Sequence, residues 1–558
     1  MQKNNKKMYL TIIGILLLIC LTVAVSYAVW RIFLVQNNSS KLATSCFKVS
    51  LTDQDAINLV DTIPITDSDG AALTPYTFTI TNACDSYAAY QVNLELLNTT
   101  TMTNMSAIKV MFDDETPSLL TTKETTEKTL TNASTAYKLK TSYLDKKATA
   151  THKLRLWIDE AVDMNTEGVQ NLKLEAKVTV TASYAKELPT AVEYITTLAQ
   201  TDTTNLATDD YGNIRYIGKN PNNYVRVEGE EYTSDVYYGY SSSTSTSYKE
   251  YSSLEECTNA SSYNVNCKVG KAKGTPILWR IIGVMKDIDD GTGNKEDRVK
   301  LIRASSIGYY SWDTSESSVN NGYGVNEWSG ADLMKLLNPG YESESVGGSL
   351  YWNNQSGKCY INLNNGTTSC NFTSTGIKDK LKTLISDAVW NTGSQGTNDY
   401  TSASGGLTKH FYAYERSSNT GKICSSGDYC NDKVERTTTW KGLVGLMYPS
   451  DYGYATSGGD TTDRTTCLNT SLSSWDGSSV SDCKNNDWLF NSRRGQWTIS
   501  PRASSSVAYL AFYVYSGGGV GDDLAFINYA ARPVVYLTSN VKISGGEGTS
   551  ESPFSLEL

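Results

Sequence analysis

Histidine is almost missing from this 558-residue chain, which has two, His152 and His410, far apart in sequence. His-rich metal centres and most His-dependent acid–base chemistry therefore start from a poor supply. Charge is sparse at 19% of residues, and a basic surplus is absent, since 49 Lys and Arg face 59 Asp and Glu for a net charge of −10. Binding a phosphate backbone needs a basic footprint, so nucleic acid is excluded as a partner. The chain holds no G-x-x-x-x-G-K-[ST] phosphate loop, no G-x-S-x-G nucleophile turn and no C-x-x-C pair. It is rich instead in tyrosine (37), glycine (42) and Ser/Thr/Asn tracts, and its 39% hydrophobic content suffices for folded cores. At roughly 150 residues per domain the length allows about three or four.

The longest apolar run lies at the start. Lys3, Lys6 and Lys7 precede 23 residues from Met8 to Trp30, closed by Arg31. At 1.5 Å per residue this matches a hydrocarbon core of ~30 Å, which predicts an N-terminal transmembrane helix. The flanking lysines place residues 1–7 in the cytoplasm as a tail, residues 8–30 in the membrane and the remainder outside. The alternative is a signal peptide cleaved after Ser26-Tyr27-Ala28, giving a secreted protein instead of a single-pass cell-membrane protein.

Cysteine usage agrees with export. Of 11 cysteines, Cys20 falls in the apolar run and ten follow it. Sequence alone leaves their connectivity open. They occur as neighbours, however, and predict five local bridges: Cys46 with Cys84, Cys257 with Cys267, Cys359 with Cys370, Cys424 with Cys430, and Cys467 with Cys483. Each would contribute ~2–4 kcal/mol in an oxidising exterior. Without C-x-x-C spacing or accompanying histidines they do not read as zinc ligands, and no metal site is expected.

After a linker at 31–45, residues 46–185 alternate. Tyr76, Phe78 and Ile80 face Thr77, Thr79 and Thr81, and the same period runs through Tyr90 to Leu96, Leu154 to Ile158 and Leu172 to Ala182. Period two with one polar face predicts an all-β sandwich or jelly roll. His152, just before one such run, reads as an exposed loop residue. Pro189 then starts helical spacing, so residues 186–202 read as a linker helix. Residues 203–558 are expected to be a larger α+β domain, rich in loops. Its helices are placed after Ser329 and over Ile377 to Trp390, and its strands at Ile277–Val284, Val299–Arg303, Val507–Tyr515 and Pro533–Leu537. Tyr232 to Tyr251 reads as an extended loop.

Two resemblances follow from particular stretches. Val25-Ser-Tyr-Ala-Val29 with Pro75-Tyr-Thr-Phe-Thr-Ile-Thr-Asn82 resembles the camelysin/TasA-type exported jelly-roll proteins of Gram-positive bacteria, some of which assemble into biofilm fibres. Camelysin has been classed as a metalloprotease, but H-E-x-x-H is absent and that activity is not carried over. The second part carries Gly212-Asn-Ile-Arg-Tyr-Ile-Gly218, Leu278-Trp-Arg-Ile-Ile-Gly283, Gly445-Leu-Met-Tyr-Pro-Ser450, Asn486-Asp-Trp-Leu489, Ala531-Arg-Pro-Val-Val-Tyr-Leu537 and Gly546-Glu-Gly-Thr-Ser-Glu-Ser-Pro553. It resembles an uncharacterised extracellular domain of Gram-positive gut bacteria. The layout is similar to C-type-lectin-like and formylglycine-generating-enzyme-like folds, which implies a ligand-facing C-terminal hairpin.

These readings lead to a function in adhesion or recognition, without catalysis, of an extracellular glycan or protein. The candidate ligand-binding residues are Tyr509, Tyr513 and Tyr515, opposite Ala508, Leu510, Phe512 and Val514, with Gly517, Gly518 and Gly519 at the hairpin tip. Tyrosine offers contact area at low entropic cost, and its ring stacks on sugars. Asp287 to Asn294 has the outline of a calcium loop, but Arg298 replaces the twelfth-position glutamate and the segment reads as a hairpin turn, leaving calcium as the only cofactor candidate. The alternatives are self-assembly of the sandwich into fibres and an enzyme of the formylglycine-generating type.

Overall fold

A computed structural model describes residues 32–558 except 36–45, 52–56, 60–62, 114–116, 145, 164–172, 186–187, 201, 246–247, 315–321, 345–346, 364–365, 394, 397–399, 418–435, 494 and 505–506. The chain divides into two units, Met1–Leu188 and Pro189–Leu558.

In the smaller unit two antiparallel sheets enclose one core. The first orders Ile32–Val35, Leu174–Ala185, Tyr87–Leu97, Ala133–Leu144 and Thr125–Thr126, with Ile57–Leu59 also on Leu174–Ala185. The second orders Phe47–Leu51, Tyr76–Asn82, Thr149–Ile158, Ile108–Phe112 and Ser118–Leu119. Phe78, Ile80, Val92, Leu94, Leu154, Leu156, Val178 and Val180 meet in the core because successive side chains of a strand point to opposite faces. His152 is not an exposed loop residue. It lies within the Thr149–Ile158 strand, opposite Phe78, and is buried. It shares the parity of Leu154 and Leu156, so the pleat turns it inward. There Nδ1 meets Asp113 Oδ2 and Nε2 meets Tyr90 Oη, both at 3.0 Å.

The larger unit is built on a nine-stranded and a six-stranded sheet. The first runs Val444–Gly445, Val534–Tyr536, Lys295–Arg303, Pro276–Asp289, Tyr224–Glu231, Phe554–Glu557 and Lys542–Gly545, with Ile214–Tyr216 branching from Pro276–Asp289 and Leu206–Thr208 beyond it. The second runs Tyr309–Ser311, Asn528–Ala530, Gln496–Ala503, Leu510–Val514 and Val520–Leu524, with Gln395–Gly396 on Gln496–Ala503. The Ala191–Leu198 helix belongs to this unit's core through Ala191 and Ile195. Its start is closed by a reciprocal cap. The Glu193 N–H donates to Thr190 Oγ1 at 3.2 Å, and the Thr190 N–H donates to Glu193 Oε2 at 2.9 Å.

The expected fold class, a transmembrane helix, a sandwich and then an α+β, C-type-lectin-like domain, is corrected. The structure is mostly β, 41% strand and 16% helix. The apolar run at 8–30 lies outside the described residues, and among those no helix is long and apolar enough to cross a membrane. In the larger unit, segments that read as loops pair into short strands. The tyrosine-rich tract after Tyr232 forms Val236–Tyr240 and Tyr248–Tyr251, joined with Val265–Lys271 in a three-stranded sheet. The helix expected from Ile377 to Trp390 covers only Asp379–Leu384. The Ser386 N–H donates instead to the Tyr536 carbonyl at 3.3 Å, and Ala388–Asn391 pairs with Thr439–Gly442. Strand pairing from distant sequence overrides local helical periodicity there.

Four disulfides form: Cys46–Cys84, Cys257–Cys267, Cys359–Cys370 and Cys467–Cys483. Cys424 and Cys430 lie outside the described residues.

Candidate functional site

The candidate tyrosines sit on the six-stranded sheet of the larger unit. Alternation along Leu510–Val514 sends Phe512 and Val514 into the core and leaves Tyr513 half-buried on the other face. Tyr513 stacks on Tyr529 at 4.2 Å between ring centres, and both present an edge-to-face contact to buried Trp497, at 6.0 and 4.9 Å. Gly495 makes this approach possible, since a Cβ there would lie 2.8 Å from the Tyr529 ring. Tyr515, also half-buried, extends the row 6.1 Å from Tyr513. Tyr509 precedes the strand and joins a second group, 5.1 Å from Tyr323, which stacks on Phe526 at 5.5 Å.

Carboxylates border the rings. The Tyr529 hydroxyl donates to Asp523 Oδ2 at 2.6 Å, and the Tyr400 hydroxyl donates to Asp522 Oδ1. Arg502 Nη1 holds the other oxygen of Asp522 at 2.9 Å. Burial first, and then the neighbouring carboxylate, push the Tyr529 hydroxyl above the usual tyrosine range, so it remains a donor at neutral pH.

The glycine tip is tucked in. Gly518 and Gly519 are buried and Gly517 is half-buried. The turn closes through the Tyr515 N–H donating to the Gly519 carbonyl at 3.0 Å and the Gly518 N–H to the Tyr515 carbonyl at 2.9 Å. Lys484 Nζ donates to the Gly517 carbonyl at 2.7 Å, and the Tyr452 hydroxyl to the Gly518 carbonyl at 2.6 Å. Gly518 needs to be glycine, with φ of +100° and Lys484 where a Cβ would stand. These glycines place Tyr515 more than they offer a surface.

The Arg- and Trp-containing motifs lie in the interior. Arg280 is held between the rings of Tyr224 and Trp488, 4.2 and 4.4 Å from their centres, while its Nε donates to Asn223 Oδ1 at 2.7 Å. Arg532 Nε donates to the Arg303 carbonyl at 3.0 Å, and burial, followed by nearby Arg280, draws its guanidinium down to about 9. Arg215 donates to Asp209 at 2.8 Å and Asp451 at 2.7 Å, and Lys300 meets the other oxygen of Asp451. Burial opposes the Arg215 charge, but the two aspartates outweigh it and raise its pKa. Sequence reasoning missed this cluster because Arg215 and Asp451 lie 236 positions apart. Its one local signal is charge inside apolar strands, as in Val299-Lys-Leu-Ile-Arg303. Tyr529 was missed as the partner of Tyr513 because the stack forms across the 496–503 strand.

Asp287 to Asn294 closes the hairpin between Pro276–Asp289 and Lys295–Arg303. Asp289 Oδ1 accepts the Gly291 N–H at 2.7 Å, and Asp290 Oδ1 the Thr292 N–H at 2.7 Å. Among the described residues no group of three or more His, Cys, Asp or Glu could hold a metal ion. No family model, curated protein or solved structure matches the chain, and nothing in these comparisons identifies a TasA-like or lectin-like domain.

Proposed function

We propose that this is an extracellular recognition protein whose larger unit contacts a glycan or protein ligand through Tyr509, Tyr513, Tyr515 and Tyr529. The observation that carries this reading is the Tyr513–Tyr529 stack braced on Trp497. Rings already fixed by packing lose little entropy on binding, and half-buried tyrosines suit contact with sugar rings or apolar side chains. Asp523 beside the Tyr529 hydroxyl adds an acceptor for ligand hydroxyl or N–H groups. The four disulfides support work in an oxidising exterior. The carboxyls of buried Asp313 and half-buried Asp332 are occupied structurally: Asp313 takes the Val325 N–H at 2.6 Å and the Asp332 N–H at 3.1 Å, and Asp332 takes the Thr314 N–H at 2.9 Å.

The test screens the purified chain on glycan and protein arrays, then repeats the hits with Tyr513→Ala and Tyr515→Ala. Affinity is expected to fall about five- to thirty-fold, as for loss of one stacked ring worth about 1–2 kcal/mol, with circular dichroism showing that each variant keeps its fold. Variants that bind every hit as tightly as the parent chain would sink the proposal.

A further inference from the structure

Within the larger unit a lysine and an aspartate touch where neither meets water. Lys300 Nζ lies 2.5 Å from Asp451 Oδ2, and each side chain is 1% exposed. The amine stands over three rings, 4.2 Å from the centre of Tyr448 and 5.5 Å from those of Trp390 and Tyr536. Asp451 Oδ1 accepts from Arg215 Nη1 at 2.7 Å, and Oδ2 accepts from the Tyr448 N–H at 2.9 Å.

We propose that Lys300 and Asp451 condense into an intramolecular amide, a covalent bridge between the Lys295–Arg303 strand and the Pro449–Tyr454 helix. The step balances without a co-reactant. A bond forms between Nζ and Cγ of Asp451, and the Cγ–Oδ2 bond breaks. The two protons shed by the ammonium leave with Oδ2 as one water. The oxygen that remains, Oδ1, becomes the amide carbonyl.

Each neighbour of the pair fits a part of this step. Fixed contact between nucleophile and electrophile replaces a bimolecular encounter. Arg215 holds its charge against the oxygen that becomes negative when Cγ is tetrahedral, and the Tyr448 N–H sits on the oxygen that departs. Burial draws the Lys300 amine down to about 8, which brings the nucleophilic free base within reach near neutral pH. Lys300 and Arg215, against the effect of burial, hold the Asp451 carboxyl below its usual range, so the pair rests as ammonium and carboxylate, and one proton crosses the contact to Oδ2 before the amine attacks. Charge also balances afterwards: one cation and one anion disappear together, and the 2.8 Å Arg215–Asp209 pair stays neutral.

The experiment is a mass and peptide map of the purified full chain after unfolding and reduction. The expected result is a protein lighter by one water than its disulfide-reduced sequence. A branched tryptic peptide should contain both Lys300 and Asp451, with no cleavage after Lys300. Lys300→Arg keeps the positive charge and should restore the full mass and a linear peptide. An unmodified Lys300 peptide in the parent chain, or loss of water traced to any other residue, overturns the proposal. The parent-chain map decides even if Lys300→Arg fails to fold.

Discussion

The two units handle polar groups in a dry interior differently. In the smaller unit, fully buried Glu95 is satisfied by uncharged donors: the Thr129 and Leu130 N–H groups at 2.8 and 2.9 Å, and the Thr129 and Thr179 hydroxyls at 2.5 and 2.7 Å. In the larger unit, Arg215 pairs with Asp209 and Asp451, and Lys300 meets Asp451, so that opposite charges cancel in the cluster before any condensation of Lys300 with Asp451. A carboxylate fed by several neutral donors loses one bond when one donor goes. An ionic cluster loses its neutrality when one member goes, and leaves a buried charge alone. The larger unit's interior is therefore the more brittle of the two.

The largest expected effect tests that contrast directly. Asp451→Ala should destabilise the larger unit by about 3–5 kcal/mol, because it leaves Lys300 as a buried ammonium with neither bridge nor counter-ion and takes one partner from Arg215. Tryptophan fluorescence in a denaturant titration reports on that unit, and an unmoved midpoint would break the comparison. The disulfides come next. Replacing Cys46 and Cys84 together by alanine opens a 38-residue separation and should cost about 4 kcal/mol, against about 3 kcal/mol for the 10-residue separation of Cys257 and Cys267. Calorimetry of the two double variants ranks them.

Glu415 gives a pH-dependent version. It is buried beside Ser450, whose N–H and hydroxyl donate to it at 3.0 and 2.5 Å, and burial pushes its carboxyl up to about 7. A raised carboxyl binds more protons folded than unfolded, so its stabilisation is full below the unfolded value near 4.5 and is lost as pH rises through about 7. Measured against Glu415→Gln, the parent chain should lose about 3 kcal/mol of relative stability across that window. A difference in melting temperature that stays flat with pH would contradict it. The smallest effect is Glu95→Gln in the smaller unit, about 1–2 kcal/mol, since the amide keeps one acceptor oxygen for those neutral donors.

Much of the smaller unit was legible in the sequence. Each long strand repeats every two residues, and the parity of His152 with Leu154 and Leu156 already stated that it points inward. The larger unit was legible in pieces. Leu333, Leu336 and Leu337 do face the core from a short helix, Asp332–Leu337. The run after Ile377 was misread because helical spacing persists into residues whose hydrogen bonds go to strands at 439–442 and 534–536. At the candidate site the alternation of Tyr513 against Phe512 and Val514 was readable. The Tyr529 stack and the clamp on the glycine turn were not, because both depend on which strand lies next to which.

Composition, parity and cysteine spacing by themselves determined that the chain is poor in histidine, that strands would dominate the first part, and that the cysteines after the apolar run fall as sequence neighbours. These are local quantities, set by the pleat and by short loop closure. Tertiary structure alone decided that loop-like tracts of the second part become strands, and that Arg215, Lys300 and Asp451 share one dry cluster. Burial of charge is tolerated only where opposite charges converge in space, and residues 151 and 236 positions apart are brought together by sheet topology, which no local pattern encodes.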